Sequence, residues 1–491
     1  MVRPSGPGFV AAALGAVFLA YTVIRAVRVP LTCDEAFTGT HWVDPGPLAA
    51  LTFDGPVRSN NHLLNSLLST ASQAVLGRTP FALRLPNLIA HAVFLVASWR
   101  LLSRVAGEGV ALAGFALLNG NPLLLELFGL ARGYGLALGF AAPALLYAVR
   151  AFEVEEIPLR EEAACYGLLV CGVLAQLIVL DVFAAVAATF AGLRFVRLAR
   201  SRAEGRLRRA ARESIPVLAA SLVLLATAMP IIVCLRRSGA LDFGGTVGLW
   251  YDTVGSVVRI SLLNLSPSLV RATLAGLEIA LALLAALAVY RLARPGKGAR
   301  VFLALLSILV VSCVAVQAQH VFFDAKFPEN RIAIVFLPLL VFALAAACGA
   351  TPAPLDRVAG LALGVAGISA LALFARRANL WRSDLWWFDM DNVHMLQDLD
   401  RLRVSRPGAF HSVRLSVTDS MEPSLNWYRR TEEFSFLAPI SHDGPFRPAD
   451  YTFVFGQDET EAARRGYGVL ARYPATGNVL LEPPGSPPSA R

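Results

Sequence analysis

The sequence predicts an all-α polytopic membrane protein with a small C-terminal α/β domain held outside the bilayer, and three observations lead there. The 491 residues are 56% hydrophobic and only 16% charged, whereas soluble globular chains carry roughly a quarter charged residues. Apolar segments long enough for a hydrocarbon core of about 30 Å, which takes about 20 residues of helix, recur through most of the chain. From Asn379 the composition changes abruptly: Trp381, Trp386 and Trp387 appear among many charges, and no later segment is apolar enough to span.

The apolar segments number about eleven, at 8–29, 80–101, 107–125, 130–150, 163–179, 182–199, 214–234, 271–291, 301–319, 332–349 and 358–376. Arginine sets their direction, since Lys297 and Lys326 are the only lysines among 44 basic residues. Arg100, Arg104, Arg150, Arg160, the run from Arg194 to Arg212, the stretch from Arg291 to Arg300 and Arg357 all fall on one side if every span is real. Cytoplasmic loops carry such an excess. The N-terminus is then cytoplasmic and the C-terminal domain extracytoplasmic, in a multi-pass protein of the cell inner (plasma) membrane. Arg25 and Arg28 inside the first run, and the lack of an A-x-A site before the polar loop, favour a retained span over a cleaved leader.

The formal charge of +9 therefore reports topology and contact with anionic membrane lipids, and no basic-aromatic run suggests nucleic acid. Five of the six cysteines lie in apolar stretches and Cys33 stands alone in the first loop. Neither a disulfide framework nor a CxxC metal pair is indicated.

These boundaries divide the chain into a transmembrane domain at 1–376, an extracytoplasmic domain at 377–482 and a Pro/Ser-rich tail at 483–491 expected to be disordered. Four loops reach the outer face with the tail. In loop 30–79, Leu63, Leu64, Leu67, Leu68, Ala71 and Val75 recur at helical spacing, as in a helix lying in the interface plane. Loop 235–270 holds Trp250 and Tyr251, and loop 320–331 holds His320, Asp324, Lys326 and Phe327-Pro328-Glu329-Asn330-Arg331. In the tail, Leu396 to Leu402 has helical spacing, whereas Ser412 to Val417 and Tyr451 to Phe455 alternate like strands.

Chemistry is expected where ionisable groups gather at one membrane face. Pro30 ends the first span, and Thr32-Cys33-Asp34-Glu35 fits an S/T-x-x-E capping box, which employs Glu35 on backbone amides. Asp34 is left over, and a carboxylate at a membrane boundary serves as a general base when an acceptor hydroxyl comes within reach. Asp389-Met390-Asp391 imitates a metal-holding Asp-x-Asp but lacks surrounding strand-helix alternation, so it reads as a solvated acidic edge. No metal or other cofactor is indicated, although a divalent cation stays open. Glu278 and Asp181 sit in or beside apolar runs, and Glu278 keeps a transporter or lipid flippase as an alternative. A non-catalytic envelope-assembly protein is a third reading.

Several motifs in fixed order carry a resemblance. Asp34-Glu35 after the first span, Asn61-His62-Leu63-Leu64, Phe81-Ala82-Leu83-Arg84-Leu85-Pro86, Asn121-Pro122, Ala131-Arg132-Gly133-Tyr134 and Pro328-Glu329-Asn330-Arg331 span roughly residues 8 to 350. The set resembles the GT-C membrane glycosyltransferases, in the branch of protein O-mannosyltransferases and lipid A aminoarabinose transferases. It departs from that branch at Phe128-Gly129-Leu130, where an acidic or polar residue usually precedes the Ala-Arg-x-Tyr run. Glu126 is the nearest carboxylate there.

The resemblance implies transfer of a sugar from a polyprenyl-phosphate-linked donor to a hydroxyl of a lipid, glycan or protein acceptor at the outer face, with inversion. Asp34 and Glu35 would then be the catalytic pair, with Asp34 as base. Arg84, Arg132 and Arg331 are candidates for the departing phosphate, because guanidinium keeps its charge and binds phosphate at two points. Asn61, His62 and Tyr134 would help hold the substrates.

Overall fold

The computed structural model describes residues 6–484 apart from 57, 155–157, 201–205, 242, 264, 297 and 406–411. The disorder expected of the tail falls outside the described residues from 485 onward. The chain is an all-α polytopic membrane fold with a small C-terminal sheet, as the apolar pattern predicts. It comprises two compact units. One takes Met1–Val23, Val57–Leu68 and Arg84–Ala378, and the other Ile24–Pro56, Ser69–Leu83 and Asn379–Arg491.

In the first unit every apolar segment found in the sequence lies on helix, with two corrections to the span count. Among the described residues nine helices are long and apolar enough to cross a membrane, ten if one bent pair counts as a span. The bent pair replaces the segment 107–125: helices Glu108–Asn119 and Pro122–Phe128 meet at 64°. Pro122 cannot continue the first ladder. Asn121 then starts the second helix as its cap, its Oδ1 accepting from Leu123 N at 3.0 Å and Leu124 N at 3.3 Å. The segment 163–179 becomes helix Leu159–Ala175, 17 residues long, which stops where Gln176 turns extended at φ −157° and ψ 122°.

Helix Gly133–Phe152 packs along Leu159–Ala175, Glu108–Asn119 along Leu355–Arg377, and Val179–Arg200 along Ala299–Phe323. Phe374 meets Phe18 and Tyr21 edge-on, with ring centroids 5.3 and 5.1 Å apart. In lipid, packing of this kind must supply what the hydrophobic effect supplies in water. Glu278, which kept the transporter reading open, is exposed on helix Pro267–Ala293 and does not face the interior of this unit. A substrate pathway would have placed it inward.

The second unit joins the first polar loop to the C-terminal domain, so it cuts across the boundary drawn at 377. Four strands form its sheet: β1 (Leu415–Val417), β2 (Tyr451–Val454), β3 (Gly468–Arg472) and β4 (Val479–Glu482), in the order β1-β2-β4-β3. β1 runs parallel to β2, with Leu415 opposite Tyr451, and the other pairs are antiparallel. Val454, Ala462, Val479 and Leu481 form an apolar cluster there, covered by Phe446 and Tyr467. Helices Asn392–Ser405, Glu422–Arg429 and Glu459–Arg464 complete the domain.

Candidate functional site

Asp34 and Glu35 lie in the second unit, on the short helix Cys33–Thr38. The capping box read from the sequence is present. Thr32 Oγ1 accepts from Glu35 N at 3.3 Å, while Glu35 Oε2 accepts from Thr32 N at 3.1 Å and from Thr32 Oγ1 at 3.2 Å. Glu35 is fully buried and committed to this cap, whereas Asp34 is half-buried one residue earlier. The two carboxylates that the resemblance pairs thus have different surroundings. Asp34's own carbonyl accepts from Thr38 Oγ1 at 2.9 Å, which closes the turn.

The acidic pair further along corrects the sequence reading. Asp389 and Asp391 do not form a solvated edge: they are 0% and 5% exposed. Asp391 Oδ2 accepts from the amide and hydroxyl of Thr476 at 3.1 and 2.9 Å. Asp389 turns toward the first loop and accepts from Cys33 N at 2.6 Å. Spacing along the chain carries no sign of this, because the partner lies 356 residues away.

The other candidates belong to the first unit. Asn61, His62, Arg84, Arg132 and Tyr134 are all buried, and Arg331 is half-buried. Arg84 sits in the second turn of helix Pro80–Val105. Around His62 the structure gathers residues from distant segments. Its ring meets that of Tyr134 edge-on at 5.4 Å, and the guanidinium groups of Arg132 and Arg331 both act on it. Burial first, and then these two cations, hold the imidazole well below its usual range, against the pull of Gln176. His62 is therefore neutral at physiological pH, and its Nε2 is buried with no hydrogen-bond partner among the described residues. Asn61 is held beside it by Ser66 Oγ, which donates to Asn61 Oδ1 at 2.9 Å.

Local chemistry explains why these motifs have the residues they do. Arg132 is the extended residue that caps helix Gly133–Phe152 at φ −124° and ψ 146°, and one of its guanidinium nitrogens donates to Asn60 Oδ1 at 3.1 Å. Glycine follows because space ends there: a Cβ on Gly133 would lie 2.0 Å from Ala175 O and 2.9 Å from His62 Cβ. Asn330 takes the left-handed conformation at φ 52°, which asparagine tolerates better than most residues, and its amide donates to Ser256 Oγ at 2.8 Å. That turn sends Arg331 out at the start of the 3₁₀ segment Asn330–Val335, its guanidinium 6.0 Å from the Phe243 ring.

Three supporting residues escape a reading of the sequence. Asn87 Nδ2 donates to Asn65 Oδ1 at 2.7 Å, Asn65 Nδ2 donates to Ala131 O at 3.1 Å, and Asn87 Oδ1 accepts from Leu136 N at 2.8 Å. This buried chain fixes both flanks of the turn bearing Arg132. Gln176 is the third. The available signal was a polar residue on an otherwise apolar helix face, which marks Asn65 and Asn87 alike.

No family model and no curated relative matches the chain by sequence. Solved structures do match by shape. One is ArnT from Cupriavidus metallidurans bound to undecaprenyl phosphate, with a TM-score of 0.50 at 12% identity over 98% of this chain and 99% of that one. Another is the Archaeoglobus fulgidus oligosaccharyltransferase in complex with zinc and sulfate, with a TM-score of 0.48 at 14% identity, covering 95% of this chain and 72% of that one. The chain thus shares the fold of the ArnT structure, in line with the resemblance carried by the ordered motifs.

Proposed function

We propose that this protein is a membrane glycosyltransferase that moves a sugar from a polyprenyl-phosphate carrier to a hydroxyl of a lipid, glycan or protein at the extracytoplasmic face. The observation that carries this reading is the convergence of Arg132 and Arg331 on a neutral, buried His62. Two fixed cations beside a hydrogen-bonding ring form a receptor for a phosphate oxyanion, and such groups count for more where water is scarce.

In the reaction, the Asp34 carboxylate takes the proton of the acceptor hydroxyl. The oxygen attacks the anomeric carbon, the bond from that carbon to the phosphate oxygen breaks, and polyprenyl phosphate leaves with the negative charge. Attack opposite the leaving group inverts the anomeric centre. Arg132 and Arg331 stabilise the charge as it builds on the leaving oxygen, and His62 can donate to it from a neutral ring. Glu35 serves by holding the helix that carries Asp34.

The fold agrees with this reading, since ArnT of similar shape was solved with undecaprenyl phosphate bound. The test is donor choice. Purified protein is expected to consume a polyprenyl-phosphate sugar and release polyprenyl phosphate without any nucleotide, with divalent cation added or withheld in parallel. Sustained transfer from UDP-, GDP- or dTDP-sugars in the absence of a lipid carrier would overturn it.

Arg331→Ala separates phosphate binding from packing. It should cut turnover or donor affinity by roughly 10-fold or more, in the range of a lost oxyanion donor. Arg401→Ala, whose side chain is 76% exposed on the C-terminal domain, should change either by less than about twofold. Equal small effects at the two positions would reduce Arg331 to a structural role.

A further inference from the structure

The C-terminal domain grips the loop that carries Asp34 through named atoms. Leu31 N donates to Tyr428 Oη at 2.9 Å, and Cys33 N donates to Asp389 Oδ2 at 2.6 Å. These two contacts bracket the capping residue Thr32. The second satisfies an amide that the helix start otherwise leaves open.

Asp389 is itself held from two helices. Its Oδ1 accepts from Ser424 Oγ at 2.7 Å and from Asn392 Nδ2 at 3.0 Å. Asn392 Nδ2 also donates to Ser424 Oγ at 2.6 Å, so the three side chains form a closed, fully buried triangle. Ser424 and Tyr428 are four residues apart on helix Glu422–Arg429, which puts both on one face of it. Trp427 of the same helix abuts Gly39, where a Cβ would lie 3.0 Å from its Nε1.

From this arrangement we infer that Asp389 is a positioning residue for the candidate base. Held by Ser424 and Asn392, it fixes the backbone immediately before Asp34 and makes the C-terminal domain part of the catalytic apparatus. The inference rests on the role proposed for Asp34 and adds the group that aims it. Burial also pushes the Asp389 carboxyl up to about 8, further raised by Asp34 and opposed by its donors.

The test uses full-length protein in detergent or nanodiscs, with hydrogen exchange of the peptide covering residues 30–38 read beside steady-state kinetics. Asp389→Ala should raise exchange of that peptide by about 10-fold or more. It should lower kcat per folded molecule by a similar factor and leave the KM for the polyprenyl-phosphate donor within about twofold. Asp389→Asn keeps an oxygen for Cys33 N and should restore most of both. Asp391→Asn, which alters the neighbouring buried acid but not the loop, should leave exchange at 30–38 and kcat unchanged.

Unchanged exchange or unchanged kcat in Asp389→Ala would overturn the positioning role. So would a kcat loss that merely tracks the fraction of unfolded protein. Asp34→Asn assayed in parallel keeps the two readings apart. Full activity in Asp34→Asn counts against the base itself, whereas an inactive Asp34→Asn beside an undiminished Asp389→Ala counts against positioning alone.

Discussion

In purified Asp34→Asn protein, sugar transfer is expected to fall by about 10²- to 10⁴-fold, the contribution typical of a positioned general base, with no loss of thermal stability. The substitution keeps the size of the side chain and removes only the site that accepts the proton. The helix beneath it is fixed by other groups: the Thr32–Glu35 capping box, Thr38 on the Asp34 carbonyl and Asp389 on the Cys33 amide. Glu35→Ala should show the opposite pattern. Loss of a cap costs typically about 1 kcal/mol, so stability falls while much of the turnover per folded molecule survives. Turnover near the wild-type level in folded Asp34→Asn protein would rule out the base assignment.

Gly133→Ala is expected to be nearly as damaging, by a steric route. The added methyl would meet a backbone carbonyl, Ala175 O, at 2.0 Å and the stem of His62 at 2.9 Å, and neither can rotate aside. Overpacking typically costs about 1–3 kcal/mol. Relief here requires the start of helix Gly133–Phe152 to shift, which carries Arg132 and Tyr134 away from His62. We expect a lowered Tm together with a weaker donor KM and a turnover reduced by about 10-fold or more. Gly167→Ala, in helix Leu159–Ala175 with open space around it, is the control. It should be neutral or slightly stabilising, because alanine is the better helix former by about 0.5–1 kcal/mol. Equal effects at the two glycines would show that the Gly133 contact yields easily.

The parts of this molecule legible in its sequence are those set by short-range pattern. Run length gave the helices of the first unit, and Thr32 with Glu35 gave the cap. Alternation located β1 and β2. β3 and β4 were missed: β3 is paired on β4 alone and broken by a bulge between Val469 and Ala471, and β4 is a short run buried on successive residues, so neither alternates cleanly. The 64° break at Asn121-Pro122 was written in the sequence, since Asn before Pro at a helix start is a cap signal, but apolar length overrode it. The motif residues were found through resemblance. What could not be seen was their support, as with the Asn87–Asn65 chain or the bond from Cys33 to Asp389, because no local period encodes a partner 22 or 356 residues away.

The distance from Leu31 to Tyr428 also has a consequence in time. The amides of Leu31 and Cys33 wait for partners 397 and 356 residues further along the chain. At synthesis rates of about 5–20 residues per second, that delay is roughly 20 to 80 s. A nascent chain can therefore have most of its helices in the bilayer while the turn bearing Asp34 still lacks its anchors. Translation must run past Tyr428 before that turn sets, so a chain interrupted before Asp389 would be inserted yet inert.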